Sequence, residues 1–308
     1  MPSPTVISDR WRLTLTDASL AEGLPIVGIV CVERVLVAVP DLAASQENWQ
    51  RAGFAIARQE YECEGIRIAR MAAGAVEIDL CATHSAESVS PLARHLRDAT
   101  SNDNGGGIIG WVWGVKGVLI SNEREPNSIP SIESIQLPGM EHESVKAEML
   151  SSGLPGVMTA AAPINLDLES RRHSLARLCG NNPNTVEYLE HIVVMTPVLD
   201  DAIAANEAIG VPCKRIREVG DGKTRQAFFK LEQTVLEVVG PATRGRPGCW
   251  GLALMCSNIA NAIATARANG LQATDPKPAI QGGQIARIVD PVDGVAIAYM
   301  QPGPRRDD

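Results

Sequence analysis

The sequence contains an internal repeat, and this repeat limits the folds that the chain can adopt. Residues 32–54, VERVLVAVPDLAASQENWQRAGF, align without a gap with residues 189–211, LEHIVVMTPVLDDAIAANEAIGV, at an offset of 157. Five positions are identical, including Gly53 and Gly210, and apolar residues match apolar residues at most strand positions. Self-similarity of this kind is typical of a fold assembled from repeated modules.

Each copy has the same local pattern. Runs rich in β-branched residues, Val32–Val39 and Ile192–Thr196, predict a strand at the start of each copy. A proline ends each run because it cannot donate a hydrogen bond to a neighbouring strand, and a helical stretch that closes at a glycine follows. Three further strand candidates, separated by turns, come next. Each copy is therefore predicted to be a βαβββ module.

Two more modules complete the pattern. One starts at Trp250 with WGLALMCSN, continues with a helix that ends at Gly270, and closes with two strands around the turn at 290–294. The other falls within 105–167 and is irregular, because its prolines interrupt the stretch where a helix is expected. We expect its helix at 140–150 instead. The sequence thus predicts four modules, of which the second is irregular.

The modules and the segments between them divide the chain into five predicted parts. With 308 residues, the chain is long enough for two domains that each bury a core. The parts are an N-terminal extension (1–30), an N-terminal domain whose second module is degenerate (31–167), a linker helix (168–186), a C-terminal domain (187–303) and a short tail (304–308).

Charge and composition exclude several classes of partner. The net charge is −8 and only 4% of the residues are aromatic, so we expect neither nucleic acid nor a membrane as a partner. The seven cysteines form no CxxC pair and several lie in apolar runs, which favours reduced thiols in the cytoplasm. The first residues do not resemble a secretory signal. We therefore expect a soluble cytoplasmic protein with a small-molecule substrate or ligand and, as one option for its assembly, a homodimer.

The repeated pattern resembles the vicinal-oxygen-chelate superfamily, which includes glyoxalases, bleomycin-resistance proteins and extradiol dioxygenases. The resemblance is carried by LEHIVVMTPVLDDAIAANEAIG, by TVLEVVGP, by the terminal DPVDG turn and by the tandem order of the modules. It implies an α+β, glyoxalase-like fold. In such a fold each pair of βαβββ modules wraps a curved mixed sheet of eight strands around a pocket, with the helices on the convex side.

The resemblance also implies a site. In that superfamily a histidine or glutamine from the first strand of a module and a glutamate from the fourth typically hold a divalent metal, such as Zn, Fe, Mn, Ni or Mg. His191 and Glu237 match these positions in the third module. In the first module Glu77 matches the glutamate position and Arg34 stands in place of the histidine. The implied ligand set is therefore His191, Glu237 and Glu77.

The last module departs from this pattern. Gly251 stands at its first-strand position and Ile297 or Ala298 at its fourth-strand position, and none of these side chains can bind a metal. Since the dioxygenases of the superfamily use two histidines and a glutamate, the glycine disfavours extradiol ring cleavage. A catalytic divalent site usually has three protein ligands. An enzyme that works without a metal and uses a general base is therefore an alternative to a metal enzyme.

The residue types give their own support for a site on these strands. A carboxylate in the middle of VLEVVG is costly to bury unless it is paired, ligated or protonated, which singles out Glu237. Alternation places His191 on one strand face with Val193 and Met195. The structural alternatives are a hydrogen-bonded core histidine and a glutamate on a solvated face. We expect both side chains in one pocket, as catalytic residues.

Five further residues are candidates for substrate contacts. Arg225 and Gln226 lie on the strand predicted to pair with the strand of the glutamate, and Trp250 opens the last module. Arg244 and Arg246, in the loop ATRGRPGCW, form a candidate carboxylate clamp. For the arginines, solvated surface is the alternative.

Together these features predict a glyoxalase-like enzyme, a lyase or isomerase that acts on a carbonyl or vicinal-oxygen substrate through His191 and Glu237. A non-catalytic, drug-sequestering or other small-molecule binding protein is the alternative. An extradiol-type dioxygenase is the least favoured of the three.

Overall fold

The computed structural model of the chain describes residues 28–57, 60–85, 87–101, 105–115, 134–138, 144–150, 153–154, 156–163, 168–220, 222–242, 247–280 and 282–303. The predicted tail (304–308) and all but the last three residues of the predicted N-terminal extension (1–30) lie outside these ranges. No helix within them is long and apolar enough to cross a membrane.

The described ranges contain sixteen strands and five helices. The strands of the first half are β1 (Ile29–Ala38), β2 (Tyr61–Cys63), β3 (Ile66–Ala73), β4 (Val76–Thr83), β5 (Gly107–Val115), β6 (Ser134–Pro138), β7 (Ser144–Leu150) and β8 (Met158–Pro163). Those of the second half are β9 (Val186–Met195), β10 (Arg215–Val219), β11 (Thr224–Leu231), β12 (Thr234–Gly240), β13 (Gly248–Cys256), β14 (Lys277–Pro278), β15 (Gln284–Arg287) and β16 (Ala296–Gln301). The helices are α1 (Leu42–Arg51), α2 (Pro91–Thr100), α3 (Leu168–Gly180), α4 (Leu199–Ala208) and α5 (Ile259–Ala268).

The strands form two mixed sheets of eight strands each. Their orders are β2-β3-β4-β1-β5-β8-β7-β6 and β10-β11-β12-β9-β13-β16-β15-β14. In each sheet the two central strands run antiparallel to each other, and each has a parallel neighbour on its other side. This is the arrangement of two modules joined side by side, so the predicted α+β glyoxalase-like fold is confirmed.

The predicted duplication extends to an irregularity in the central strand pair of each sheet. In β1 the extra residue of a β-bulge is Glu33, and the next residue, Arg34, pairs with β5. In β9 the extra residue is Glu190, and His191 pairs with β13. A bulge bends a strand and re-aims the side chains beside it. The expected correspondence of Arg34 with His191 is therefore confirmed, bulge included.

The expected match of Glu77 with Glu237 is wrong by two residues. In the parallel pairing of the first sheet, Arg34 lies opposite Glu77. In the second sheet the residue at the position of Arg34 lies opposite Val235, so it is Asp79 that occupies the position of Glu237. Alternate residues of a strand face the same side, so the sequence pattern fits either acidic residue of β4 and only the register separates them.

The helix expected at 140–150 is contradicted by the described part of that segment, Ser144–Leu150, which is a strand. Strand β7 pairs with β6 on one side and with β8 on the other. Its sequence, SVKAEML, alternates apolar and polar residues, and this period of two is typical of a strand. The second module therefore contributes four strands in the same order as the last module, while residues 116–133 lie outside the described part of the chain.

Helix α2 fills the concave face of the first sheet. Its start is fixed by Pro91 in the first turn and by the Ser90 hydroxyl, which accepts a hydrogen bond from the backbone N–H of Ala93. Leu92, Ala93 and Leu96 are buried against side chains of β1, β3, β4, β5 and β8. The outermost strands β2 and β6 lie against each other, so the first sheet closes around this helix.

A buried ionic cluster occupies another part of the same face. Arg34 lies 2.9 Å from Glu77 and 3.1 Å from Asp79. Arg70 lies 2.8 Å from Asp79 and 3.2 Å from Glu77. All four side chains are at most 4% exposed, so each carboxylate depends on the arginines to offset its loss of hydration. The first sheet therefore leaves its concave face filled rather than open.

Replacing Arg70 by methionine is expected to lower the free energy of unfolding by about 3–5 kcal/mol, because two buried carboxylates lose one of their cations. Urea denaturation measures this loss. Arg67→Met on the same strand is the matched control, since Arg67 pairs with Glu60 at the surface and such pairs contribute less than about 1 kcal/mol. Equal losses in the two variants would contradict a buried cluster.

Candidate functional site in the second sheet

The concave face of the second sheet holds a cavity of about 1160 Å³, and a smaller cavity of about 470 Å³ adjoins it. Both are of the size that small-molecule sites have. Glu190 lines the smaller cavity, and Gln226 and Glu237 line the larger. The residues that line both are His191, Arg217, Phe228 and Ile280. The two halves of the chain thus share one architecture, with a filled face in the first sheet and an open one in the second.

The bulge in β9 brings the side chains of Glu190 and His191 together. His191 is buried, and its Nδ1 lies 2.7 Å from Oε2 of Glu190, the preceding residue. The Phe228 ring packs against the imidazole edge to face, with 6.5 Å between ring centroids. With the proton on Nδ1 donated to Glu190, the Nε2 lone pair is free, and Nε2 has no hydrogen-bond partner among the described residues. The imidazole is thus fixed in orientation and has one basic nitrogen available.

Glu237 lies on the same concave face as His191, and its carboxyl group is partly buried. Burial raises its pKa above the usual value, and the nearby Glu190 adds to this, whereas His191 and Arg217 oppose it. Nε2 of Gln226 donates a hydrogen bond of 2.7 Å to Oε1 of Glu237. The site therefore combines an oriented imidazole with a carboxyl group that holds its proton to higher pH than an exposed one.

A comparison of the two sheets explains the raised pKa of Glu237. In the first sheet, the residue opposite Asp79 on the neighbouring strand is Arg70, which forms an ion pair with it. In the second sheet, the residue opposite Glu237 is Phe228. An aromatic ring desolvates the carboxyl group without supplying a positive charge, so the neutral form is favoured.

The pseudo-symmetry of the second sheet identifies the counterparts of this pair. The register of β9 with β13 maps His191 onto Gly251. The two parallel pairings map Glu237 onto Ala298, which decides between Ile297 and Ala298. The last module therefore presents no polar side chain at either position.

Gly251 is closed to any side chain by the neighbouring strand. A Cβ atom built on it would lie 2.3 Å from the carbonyl oxygen of Ala296. Gly110, at the same position in the first sheet, is tighter still, since its Cβ would lie 1.7 Å from the carbonyl oxygen of Met158. Close approach of two strands therefore requires glycine at this position in both sheets.

The described residues do not fit the metal site that the family resemblance implies. Glu77 belongs to the cluster in the other sheet, and Gly251 and Ala298 supply no donor atoms. His191 and Glu237 are the two expected donors that remain, and the described ranges contain no group of three or more His, Cys, Asp or Glu side chains arranged to hold a metal ion. A catalytic site of the usual type needs three protein ligands. We therefore assign no chemical step to a metal.

The other expected substrate contacts have different outcomes. Gln226 touches Glu237, and Trp250 lines the larger cavity with 54% of its surface exposed. Arg225 lies instead outside the cavity, where it forms an ion pair with Asp200 of α4, because it alternates with Gln226 and so faces the opposite side of β11. Arg244 and Arg246 lie outside the described residues.

Sequence reasoning missed Glu190 and the cations of the cavity. Glu190 was visible as one of the identities in the repeat, but its contact with His191 depends on the bulge, which puts two consecutive side chains near each other. Arg217 is on β10, a strand with little burial, where a surface position is the ordinary interpretation. Its place in the cavity follows from its pairing with Gln226 on β11, which the sequence alone does not reveal.

Comparison with known proteins gives structural matches and no sequence matches. No protein-family model and no curated protein matches the chain. A triple mutant of 4-hydroxymandelate synthase from Streptomyces coelicolor is 12% identical with a TM-score of 0.56, and the match covers 91% of this chain and 94% of that one. A fusion protein of a xylose isomerase-like TIM barrel and 4-hydroxyphenylpyruvate dioxygenase is 14% identical with a TM-score of 0.57, covering 92% of this chain and 50% of that one.

These similarities extend over nearly the whole chain, and at this identity they show the fold. The glyoxalase-like fold expected from the sequence is thus supported by solved structures, while the chemistry has to be argued from the site.

Glu237→Gln is expected to stabilise the protein at neutral pH and to have little effect at about pH 4. A carboxyl group whose pKa is raised by folding stabilises the folded state below its unfolded pKa, and this contribution is lost as the pH rises through the folded pKa. Glutamine mimics the protonated form at every pH. The difference in melting temperature between variant and parent should therefore grow with pH, measured by thermal unfolding between about pH 4 and 8.

Glu218→Gln is the matched control for this experiment, since Glu218 is exposed on β10 of the same sheet. Its effect on the melting temperature should not change in the same way with pH. A Glu237→Gln variant that loses stability as the pH rises would show that the carboxylate is stabilised in the folded protein, contrary to the assigned direction.

Proposed function

We propose that this protein is an enzyme of the lyase or isomerase type that moves a proton on a small carbonyl compound, with His191 and Glu237 as its catalytic residues. One observation carries the proposal. His191, held by a hydrogen bond of 2.7 Å to Glu190, lines the same cavity as Glu237, a carboxyl group whose pKa is raised by burial. Two titratable groups whose environments differ in this way are typical of acid–base catalysis.

His191 is the general base in this proposal. Its Nε2 removes a proton from the carbon next to the substrate carbonyl, and the electron pair of that C–H bond moves to form the enol or enolate. Glu190 holds the imidazole in one orientation and stabilises the imidazolium that forms, as the carboxylate of a catalytic triad does. Phe228 limits rotation of the ring by its edge-to-face contact.

Glu237 is the general acid. Its protonated form donates to the carbonyl oxygen while the C–H bond breaks, so the developing negative charge is neutralised. Oε1 of Gln226 is buried with no hydrogen-bond partner among the described residues. An amide acceptor without a donor beside a carboxyl group favours a proton on that carboxyl group, because an O–H can then satisfy the acceptor.

Oxygen chemistry is less well supported for this chain, although the name of one structural neighbour includes a dioxygenase. The family's second histidine position is Gly251, where a Cβ atom has no room. A protein that only binds its ligand would also use this cavity, but it would have no need of an oriented imidazole. The two possibilities differ in whether the protein exchanges a substrate proton with solvent.

The test is hydrogen–deuterium exchange in D₂O, followed by proton NMR, with a panel of enolisable carbonyl compounds and chelator-treated protein. We expect loss of the signal of the proton next to the carbonyl group. His191→Gln and Glu237→Gln should each slow this exchange by about 10²–10⁴-fold, the usual contribution of a general acid or base. Glu190→Gln should slow it less, since it removes orientation rather than the proton acceptor.

Arg225→Gln and Glu218→Gln are controls that should exchange at the parent rate, because neither side chain lines the cavities. Exchange that requires added metal, or that persists in both the His191 and Glu237 variants, would contradict the proposal. Ligand binding without exchange in the parent protein would favour the non-catalytic alternative.

A further inference from the structure

The two cavities are lined by more cationic than acidic side chains, although the chain as a whole is negatively charged. The chain has a net charge of −8, yet the described residues that line the cavities include five cationic side chains and two acidic ones. The cationic residues are Arg215, Arg217, Lys230, Lys277 and Arg287, and the acidic ones are Glu190 and Glu237. A cleft lined by one sign of charge concentrates ligands of the opposite sign.

Two of these cations differ from several other arginines of the described ranges in forming no ion pair. Arg34, Arg70 and Arg225 each form an ion pair with a carboxylate. Neither Arg217 nor Arg287 forms an ion pair with any residue in the described ranges, although Arg217 is partly buried. An unpaired guanidinium on a cavity wall is a ready partner for an anionic group, to which it donates two hydrogen bonds at once.

Arg217 has the most informative position among them. It is one of the residues that line both cavities, together with His191 and Phe228. Arg215 and Lys230 line the smaller cavity beside it. An anionic group bound there would thus lie at the junction of the cavities, next to the side chains assigned to proton transfer.

The larger cavity offers a different surface. Its walls away from Arg217 are mainly apolar, with Val193, Met195, Val239, Leu252 and Met300 among the lining residues. Ile280 borders both cavities with 86% of its surface exposed, and the half-exposed Trp250 is at the wall of the larger one. Burial of these apolar side chains by a ligand would be favourable, at roughly 25 cal/mol for each Å² removed from water.

We propose that the second sheet binds an amphiphilic anion, a carboxylate with a bulky apolar body. The anionic group contacts Arg217 at the junction, with Arg215 and Lys230 nearby, and the apolar body lies in the larger cavity against Trp250. This assignment names the substrate class for the proposed function and depends on it only for the identity of the reacting atoms. The proposed binding of an amphiphilic anion is argued from the cationic and apolar residues of the cavities and does not require catalysis.

Two dyes test the claim, because they share one aromatic body and differ by a sulfonate. The first, 8-anilinonaphthalene-1-sulfonate, is an amphiphilic anion, and the second, N-phenyl-1-naphthylamine, lacks the charge. Fluorescence titration should give one site for the anionic dye, with a Kd at least about tenfold below that of the neutral dye. Raising the ionic strength should weaken the anionic dye selectively. Decanoate should displace it, and decanol at the same concentration should not.

Variants locate the site. Arg217→Gln should raise the Kd of the anionic dye about tenfold and leave the neutral dye unchanged, and Arg217→Lys should keep part of the affinity because the charge remains. Arg225→Gln, which removes an arginine from the other face of the neighbouring strand, should change neither Kd. Equal affinities for the two dyes, or equal effects of the Arg217 and Arg225 variants, would overturn the assignment.

The outcome separates this inference from the proposed function. Glu237→Gln should bind the anionic dye at least as well as the parent, because the variant loses a negative charge from the cavity. Dye binding that follows the expected pattern in a protein without proton exchange would uphold the ligand class and refute the catalysis. Proton exchange in a protein that does not distinguish the dyes would refute the ligand class alone.

Discussion

The antiparallel pairing of the two central strands in each sheet, with an extra residue directly before Arg34 and before His191, is the constraint on which the site depends. This pairing joins two modules into one sheet. On their other sides, β5 and β13 approach the parallel neighbours β8 and β16 so closely that Gly110 and Gly251 must be glycine. The extra residue is Glu33 in one sheet and Glu190 in the other. Because a bulge re-aims the side chains that follow it, Arg34 and His191 enter the concave face at the same place in the two halves.

The same sheet architecture with different side chains gives a filled concave face in the first sheet and an open cavity in the second. In the first sheet, Arg34 and Arg70 neutralise two carboxylates, and helix α2 covers the rest of the face. In the second sheet, His191 replaces one arginine and Phe228 the other, so Glu237 keeps no paired cation on its neighbouring strand. The first arrangement pairs its buried charges with one another, whereas the second leaves His191 and Glu237 at the wall of a cavity.

The fold could be predicted from the sequence for the most part, because the periodicity of apolar residues and the positions of proline and glycine mark its strands and helices. Proline and glycine ended the strands and helices of each module, and the repeat showed that modules occur in series. The site was predictable only in part, since register and bulges are not visible in composition. Glu77 and Asp79 face the same side of β4, so the sequence pattern alone does not separate them. Arg217 reaches the cavity because β10 pairs with β11, and no local sequence pattern predicts that pairing. Glu190 was visible as a repeated residue, but not as a partner of His191.

The environment of Glu237 is an argument for the proposed proton transfer over simple binding. Burying a carboxyl group without a directly paired cation costs free energy, and in the first sheet an arginine at the position of Phe228 supplies such a pair. A cavity that merely held an anionic ligand would gain affinity from that arginine as well. The chain instead keeps an acid beside an oriented imidazole in a site rich in positive charge. The carboxyl group weakens binding of an anion slightly. In the proposed reaction it supplies a group that can release and take up a proton.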